Sequence, residues 1–246
     1  MLQKKKIALL LSAVIILVII GAGYMYLDHH PKPFPSHEAA VGEMGRSNKN
    51  VIQEILEVIH IDDAHVVVPF VSEYNEYGIG LWKWEAFSWK LKKIEQRGEP
   101  FLWKLKEKDP SSHVLIWNMN PSDQISAIDY YLMRERSHYG TDEHNTYQPR
   151  IQLKHRVDAS TRSYGAIRLP EVWLQLLEDE RAANRSSESF SLFSSFSPRS
   201  SIAINWLPRS AADEFVFPKH TVNGGSYVLS DVSTSPVYII DPHDLE

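Results

Sequence analysis

Hydrophobic and polar positions follow three different rhythms along this chain. Residues 7–27, IALLLSAVIILVIIGAGYMYL, have no polar rhythm: 21 consecutive residues carry no charge. A helix of that length rises roughly 31 Å, the thickness of a bilayer's hydrocarbon core. Residues 50–61 place Val51, Ile52, Ile55, Leu56 and Ile59 at helical spacing, with Asn50 and Gln53 set as a capping box. That pattern predicts a helix with one apolar face.

From His65 the period becomes two. The β-branched run 66–71 is followed by strand-like residues 77–85. Next, Phe87, Trp89 and Leu91 alternate with Ser88, Lys90 and Lys92, and then Phe101, Trp103 and Leu105 with Lys104 and Lys106. Turn residues at 97–100 and 109–112 separate these runs, and 113–119 adds another apolar strand. Short strands joined by short turns predict an antiparallel meander. Residues 125–135 mix strand and helix formers and read as strand. Residues 137–149 read as a polar loop, and 150–157 and 164–169 as further strands. Pro170 suits the first turn of a helix to about residue 184, with Val172, Trp173, Leu176 and Leu177 as its apolar face. The tail has strand-like pieces at 201–207, 214–217, 226–230 and 237–240.

Together these predict an α+β protein: a single N-terminal transmembrane helix, then a mainly antiparallel β-sheet ectodomain with two or more flanking helices. The expected organisation is a basic N-terminus (1–6), a signal-anchor (7–27) and a proline-containing stalk (28–49). A β-rich extracytoplasmic domain (50–183), a serine-rich linker or loop (184–201) and a C-terminal β segment (202–246) follow. The last segment either completes the domain or forms a small subdomain.

Charge sets the orientation. Lys4, Lys5 and Lys6 precede the apolar run and Asp28 follows it, which places the N-terminus in the cytoplasm and the remainder outside. The competing reading is a signal peptide cut near Gly21-Ala22-Gly23, which would make the protein secreted. The whole chain has net charge −5, and the three N-terminal lysines leave −8 for residues 28–246. An acidic outer part does not suit nucleic-acid binding. The chain has no cysteine, so the outer domain relies on its core rather than on disulfides, a habit that fits a bacterial surface better than a eukaryotic secreted domain.

Candidate chemistry is sparse. Trp82, Trp84, Trp89, Trp103 and Trp117 fall close together, and on neighbouring strands they would form either an aromatic ligand platform or the core of the meander. His60, Asp62, Asp63 and His65 form a weak metal-like cluster at an element boundary, where capping and turn roles are the ordinary explanation. Asp142 and Glu143 lie in the polar loop. Phe190, Phe193 and Phe196 recur in the serine-rich stretch as a docking or self-pinning segment. No nucleophile elbow, reactive cysteine or cofactor motif is present, and no cofactor is expected.

The sequence therefore points to a membrane-anchored extracytoplasmic module of a bacterial cell envelope, non-enzymatic, with a binding or accessory role. Its expected partners are the lipid bilayer through residues 7–27 and an envelope protein or glycan. The alternative is an envelope hydrolase drawing its acids from loops such as 137–149.

Overall fold

The computed structural model describes residues 31–47, 51–140, 145–188 and 202–245, together with residues 6, 11, 13–21 and 23 of the N-terminal segment. In chain order the strands are β1 (Ile52–Ile55), β2 (Ile59–Asp62), β3 (His65–Ser72), β4 (Tyr77–Glu85), β5 (Ser88–Glu95), β6 (Phe101–Lys104) and β7 (His113–Asn118). Then come β8 (Ala127–Arg134), β9 (Ser137–Gly140), β10 (Asn145–Gln148), β11 (Ile151–Asp158) and β12 (Tyr164–Arg168). The tail supplies β13 (Ala203–Arg209), β14 (Ser226–Val228), β15 (Thr234–Pro236) and β16 (Tyr238–Ile239). Two helices accompany them, α1 (His37–Ser47) and α2 (Glu171–Glu188).

Fourteen of the strands form three stacked sheets, and β9 with β10 forms a separate two-stranded one. The first runs β1-β3-β4-β5-β14, with β2 also paired to β3. The middle sheet runs β12-β7-β6-β15 and the third β11-β8-β13-β16. Every pairing is antiparallel except β13 with β16. The α+β, mainly antiparallel expectation therefore holds. The polar segment expected as a loop at 137–149 contains the two-stranded hairpin of β9 and β10; Asp142 and Glu143 lie outside the described residues.

Alternation explains the layering. In the middle sheet, Phe101, Trp103, Val114 and Ile116 face the first sheet and pack on Val67, Ile79 and Leu81. Their neighbours Leu102, Leu115 and Trp117 point the other way, onto Ile128, Tyr130, Leu132 and Trp206 of the third sheet. A sheet covered on both faces needs apolar residues at successive positions, which is why all of β7 is buried. Each large side chain so buried contributes roughly 1.5–3 kcal/mol. Helix α2 closes the side of the second core: Trp173 inserts into it, and its ring meets His155 edge-on at 6.3 Å. The helix begins after Pro170, as its sequence indicates, and continues to Glu188 through residues expected to begin the serine-rich linker. Phe190, Phe193 and Phe196 lie outside the described residues.

Two expectations are corrected on the outer face of the first sheet. Of the helix expected over 50–61, Asn50 lies outside the described residues and 51–61 are not helical; they supply β1 and most of β2, both paired to β3. The apolar positions satisfy either period over so short a run, and the open edge of β3 decides in favour of strand. Residues 31–47, expected within a stalk, are folded onto the domain. Phe34 meets Trp82 and Trp89 edge-on, each at 5.3 Å, and the Trp89 indole N–H donates to the Lys32 carbonyl at 2.8 Å. Ser36 accepts from the Ala39 amide at the start of α1. One turn apart on that helix, Ala40 and Met44 are fully buried against Val66, Val68, Phe70, Leu91 and Ile94. Met44 also fills the space above Gly80, where an added Cβ would lie 2.8 Å from its sulfur.

One polar node joins the first sheet to the middle one. Asn118, fully buried at the end of β7, donates its side-chain amide to the Phe70 carbonyl at 3.0 Å and the Gly78 carbonyl at 2.8 Å. Its own backbone amide donates to the Gly98 carbonyl at 2.9 Å. At Gly98 an added Cβ would stand 1.8 Å from the Asn118 carbonyl oxygen, so only glycine permits this corner between β5 and β6.

Of the apolar N-terminal run, residues 11, 13–21 and 23 are described and helical. Among the described residues no helix is long and apolar enough to cross a membrane, and the rest of the expected span lies outside them.

Because α1 is core and not tether, Met44→Ala is expected to destabilise the domain by about 2–5 kcal/mol in denaturant unfolding. Deleting 31–47 should be more damaging still; a true stalk would tolerate both changes.

Candidate functional site

The five tryptophans do not form one surface. Trp82 and Trp84 are 2% and 5% exposed on the α1 side of the first sheet, with Trp89 half-buried beside them. Trp84 and Trp89 are cross-strand partners, their rings 5.8 Å apart. Trp103 is buried between the first and middle sheets, and Trp117 between the middle and third. The set is distributed over three layers of core, with only Trp89 partly open to solvent.

The metal-like cluster also separates. Asp62 turns back onto His65, its carboxylate 2.8 and 3.0 Å from Nδ1, and accepts the Ala64 amide. His60 instead lies edge-on to Phe34 at 6.4 Å. Among the described residues no group of three or more potential ligands is placed to hold a metal ion. Asp62 and His65 shape the β2–β3 turn. Burial pushes the His65 imidazole below its ordinary value, and the Asp62 hydrogen bond only partly opposes this.

One polar site is not revealed by sequence spacing. Residues 229–233 cross from the edge of the first sheet, at β14, to the edge of the middle sheet, at β15. The Leu229 and Ser230 amides donate to the Lys92 carbonyl, and the Lys104 amide donates to the Ser233 carbonyl at 2.9 Å. A cleft opens on each side of this crossing. The first, about 180 Å³, holds four charges in line. Glu95, with 4% of its side chain exposed, accepts from Lys93 Nζ at 3.1 Å and Arg97 Nε at 3.0 Å. Arg97 also reaches Glu99 at 2.9 Å. Lys93 donates to the Thr234 hydroxyl at 3.2 Å and sits over the Phe101 ring at 4.9 Å. Burial raises the Glu99 carboxyl, with Arg97 pulling in the opposite direction.

The second cleft, about 310 Å³, is lined by His65, Lys83, Lys92, Lys104, Glu107 and Asp231. Lys92 pairs with Glu85, and Lys104 lies 3.4 Å from Glu107. The Ser233 hydroxyl and Lys104 hold Glu107 below the usual carboxylate range.

Chemically, both clefts balance cations against carboxylates. The first is smaller than the roughly 300–1,000 Å³ of typical ligand pockets, and both its carboxylates are committed to internal partners. Its geometry ties two sheet edges together and leaves no free acid–base pair. A third polar cluster has the pairing used in catalytic triads. Asp123, almost fully buried, accepts from His220 Nδ1 at 2.8 Å, the Thr221 hydroxyl at 2.6 Å and the backbone amides of both residues. Burial alone would raise this carboxyl; the hydrogen bonds outweigh it and hold the group below its ordinary value. Among the described residues no hydroxyl is bonded to the other nitrogen of His220. The cluster pins the tail at Thr221, whose hydroxyl in turn accepts the Asn120 amide at 2.9 Å.

Two measurements test these assignments. Glu95→Gln strands the buried Lys93 and is expected to cost about 3–5 kcal/mol, most of it recovered in the Glu95→Gln, Lys93→Met double variant. For His65, an unfolded chain titrates near pH 6.5 and the folded imidazole below that, so between the two values the unfolded chain binds more protons. Stability contributed by neutral His65 is thus present above about pH 6.5 and falls on acidification. His65→Gln should flatten that part of the thermal-midpoint profile.

Comparison of the chain with protein-family models, with curated proteins and with solved structures finds no match.

Proposed function

We propose that this protein is a membrane-anchored, extracytoplasmic, non-enzymatic module of a bacterial cell envelope, with residues 7–27 as a single signal-anchor span and the three-sheet domain presented outside. One observation carries the reading. Residues 14–20, together with Leu11, are apolar, helical and each at least half exposed. Successive helix residues point about 100° apart, so seven in a row cover every direction around the axis. A soluble helix hides one stripe against its own protein and keeps polar residues on the other side. Here no side is polar and none is covered, and hydrocarbon is the solvent that suits such a surface. Lys4, Lys5 and Lys6 on one flank support the inward orientation of the N-terminus.

The binding or accessory role has support of a different kind. The first cleft is small and both its carboxylates are committed to internal partners, which favours a binding role over hydrolysis. The five tryptophans serve the core, so a partner would meet another surface. Edge strand β14 with the residue after it displays Tyr227, Val228 and Leu229 to solvent, 43%, 63% and 41% exposed. An exposed strand edge with apolar side chains suits an envelope protein better than a glycan.

The anchor is tested by alkaline carbonate extraction and by reporter fusions at the C-terminus. The protein should stay in the membrane pellet, a fusion active only outside the cytoplasm should be active, and the N-terminal peptide should survive in mass spectra. Release into the soluble fraction with loss of residues 1–23 would instead identify a secreted protein.

A further inference from the structure

Strand β5 carries one residue more than its partner. Against β4, Leu81 pairs with Lys93 and Trp82 with Leu91, so Lys92 is the extra residue of a β-bulge. A bulge re-aims side chains, and bulges are over-represented beside active sites. Here Leu91 and Ile94 both pack on the α1 side, and Lys92 and Lys93 between them both turn to the middle sheet. The crossing at residues 229–233 then parts the two lysines: Lys93 enters the first cleft and Lys92 the second.

By composition the two clefts are alike; depth separates them. In the first, the Glu95 carboxylate is the inner group, with Lys93 and Arg97 closed around it. In the second the order is reversed. Lys92 has 6% of its side chain exposed, against 39% for its partner Glu85. Lys104 has 24% exposed, against 60% for Glu107. Asp231 is exposed as well, whereas Lys83 and His65 are only partly so. Ammonium groups therefore line the interior, and carboxylates stand at the mouth.

One of these cations is free of any acid. Lys83 lines the cleft from β4 and makes no ion pair or side-chain hydrogen bond among the described residues, with Asp231 or any other group. Its charge is felt at His65, directly opposite it on β3. Burial lowers that imidazole most; Asp62 opposes the shift, and the charges of Lys83 and Arg168 add to it. Arg168 itself donates only to the Ser111 and Ile61 carbonyls. An anion entering the cleft meets Lys83 directly and competes for Lys92 and Lys104 with rim carboxylates that water and salt screen.

We infer that the second cleft is an oxyanion site that takes a phosphate group, free or as a monoester: Lys83 and Lys92 bind it from the first sheet and Lys104 from the middle one. Lysines converging from three strands suit a tetrahedral dianion, whereas a planar carboxylate is matched by the fork of an arginine. At about 310 Å³ the cleft is larger than a bare phosphate, and Trp103 and Leu105 give an esterified group an apolar wall. The site stands whether or not residues 7–27 span a membrane.

Isothermal titration calorimetry of the full-length protein in detergent, at constant ionic strength, tests the site with inorganic phosphate, glycerol 3-phosphate and acetate. Both phosphates should give saturable heat and acetate none. Tighter binding of glycerol 3-phosphate marks an ester as the ligand, and tighter binding of inorganic phosphate marks the free ion. Lys83→Met, which strands no acid, should weaken phosphate binding about tenfold, and Glu107→Gln, which removes a competing rim charge, should tighten it about threefold. Lys219→Met, at an exposed lysine of the tail, should change neither the affinity nor the thermal midpoint. The site is overturned by no saturable heat with either phosphate, by acetate binding as well as phosphate, or by equal weakening in Lys83→Met and Lys219→Met. If Lys83→Met lowers the thermal midpoint, Glu107→Gln decides alone, and unchanged or weaker binding in that variant overturns the site.

Discussion

A single buried carboxamide fixes how the layers of this protein meet. The Asn118 side chain leaves the middle sheet and donates both its hydrogens to main-chain carbonyls of β3 and β4. Leaving one of those carbonyls unpaired in the core would cost about 1–3 kcal/mol. The node holds more than two sheets. The Gly98 amide donates to the Thr221 carbonyl, so the corner between β5 and β6, the end of β7 and the C-terminal tail converge within a few residues. In a core of otherwise interchangeable aliphatic contacts, these directional bonds set the offset of the first sheet over the middle one.

The other polar groups take their places from that offset. Lys93 and Glu95 are internal because β5, flanked by β4 and β14, lies against β6 and β15 of the middle sheet, where a carboxylate buried alone would be prohibitively costly and a paired one is tolerated. On the far side of the molecule Asp129 plays a parallel part. It is fully buried on the outer face of β8 and is met by Lys154 and Arg156 from β11 and Arg209 from β13. Asp129 is thus met by cations from both neighbouring strands of its own sheet, and Glu95 by Lys93 of its own strand and Arg97 just beyond it. These ties are local and mutually neutralising, which accounts for an acidic domain with enclosed cations.

Legibility in the sequence followed the range of the interactions. Strands β4 to β7, β11 and β12, and the start of α2, were readable because alternation, turns and Pro170 act over a few residues. Residues 50–61 were misread because Val51, Ile52, Ile55 and Ile59 fit two periods, and the choice was made by an edge of β3 that no local pattern announces. Helix α1 was hidden by Gly42 and Gly45; Ser36 with Ala40 and Met44 one turn apart was the available, faint signal. The tryptophans were visible as a cluster in sequence, yet strand alternation sent neighbours to opposite faces and distributed them over three layers. The polar clefts were illegible for a simpler reason: Lys93 meets Thr234 across 141 residues.

The tail that provides Thr234 enters each of the three stacked sheets. It gives β13 and β16 to the third, β14 to the first and β15 to the middle one. No layer is therefore complete until the last forty or so residues have been delivered. For a chain made from its N-terminus onwards, this makes folding a terminal event: most of the domain must wait as unclosed edges until the tail arrives. Pairings of such long sequence separation are slow to form and exposed to aggregation and proteolysis meanwhile. The same topology acts as a check on quality, because a chain truncated by even a few dozen residues leaves all three sheets open and presents itself for degradation.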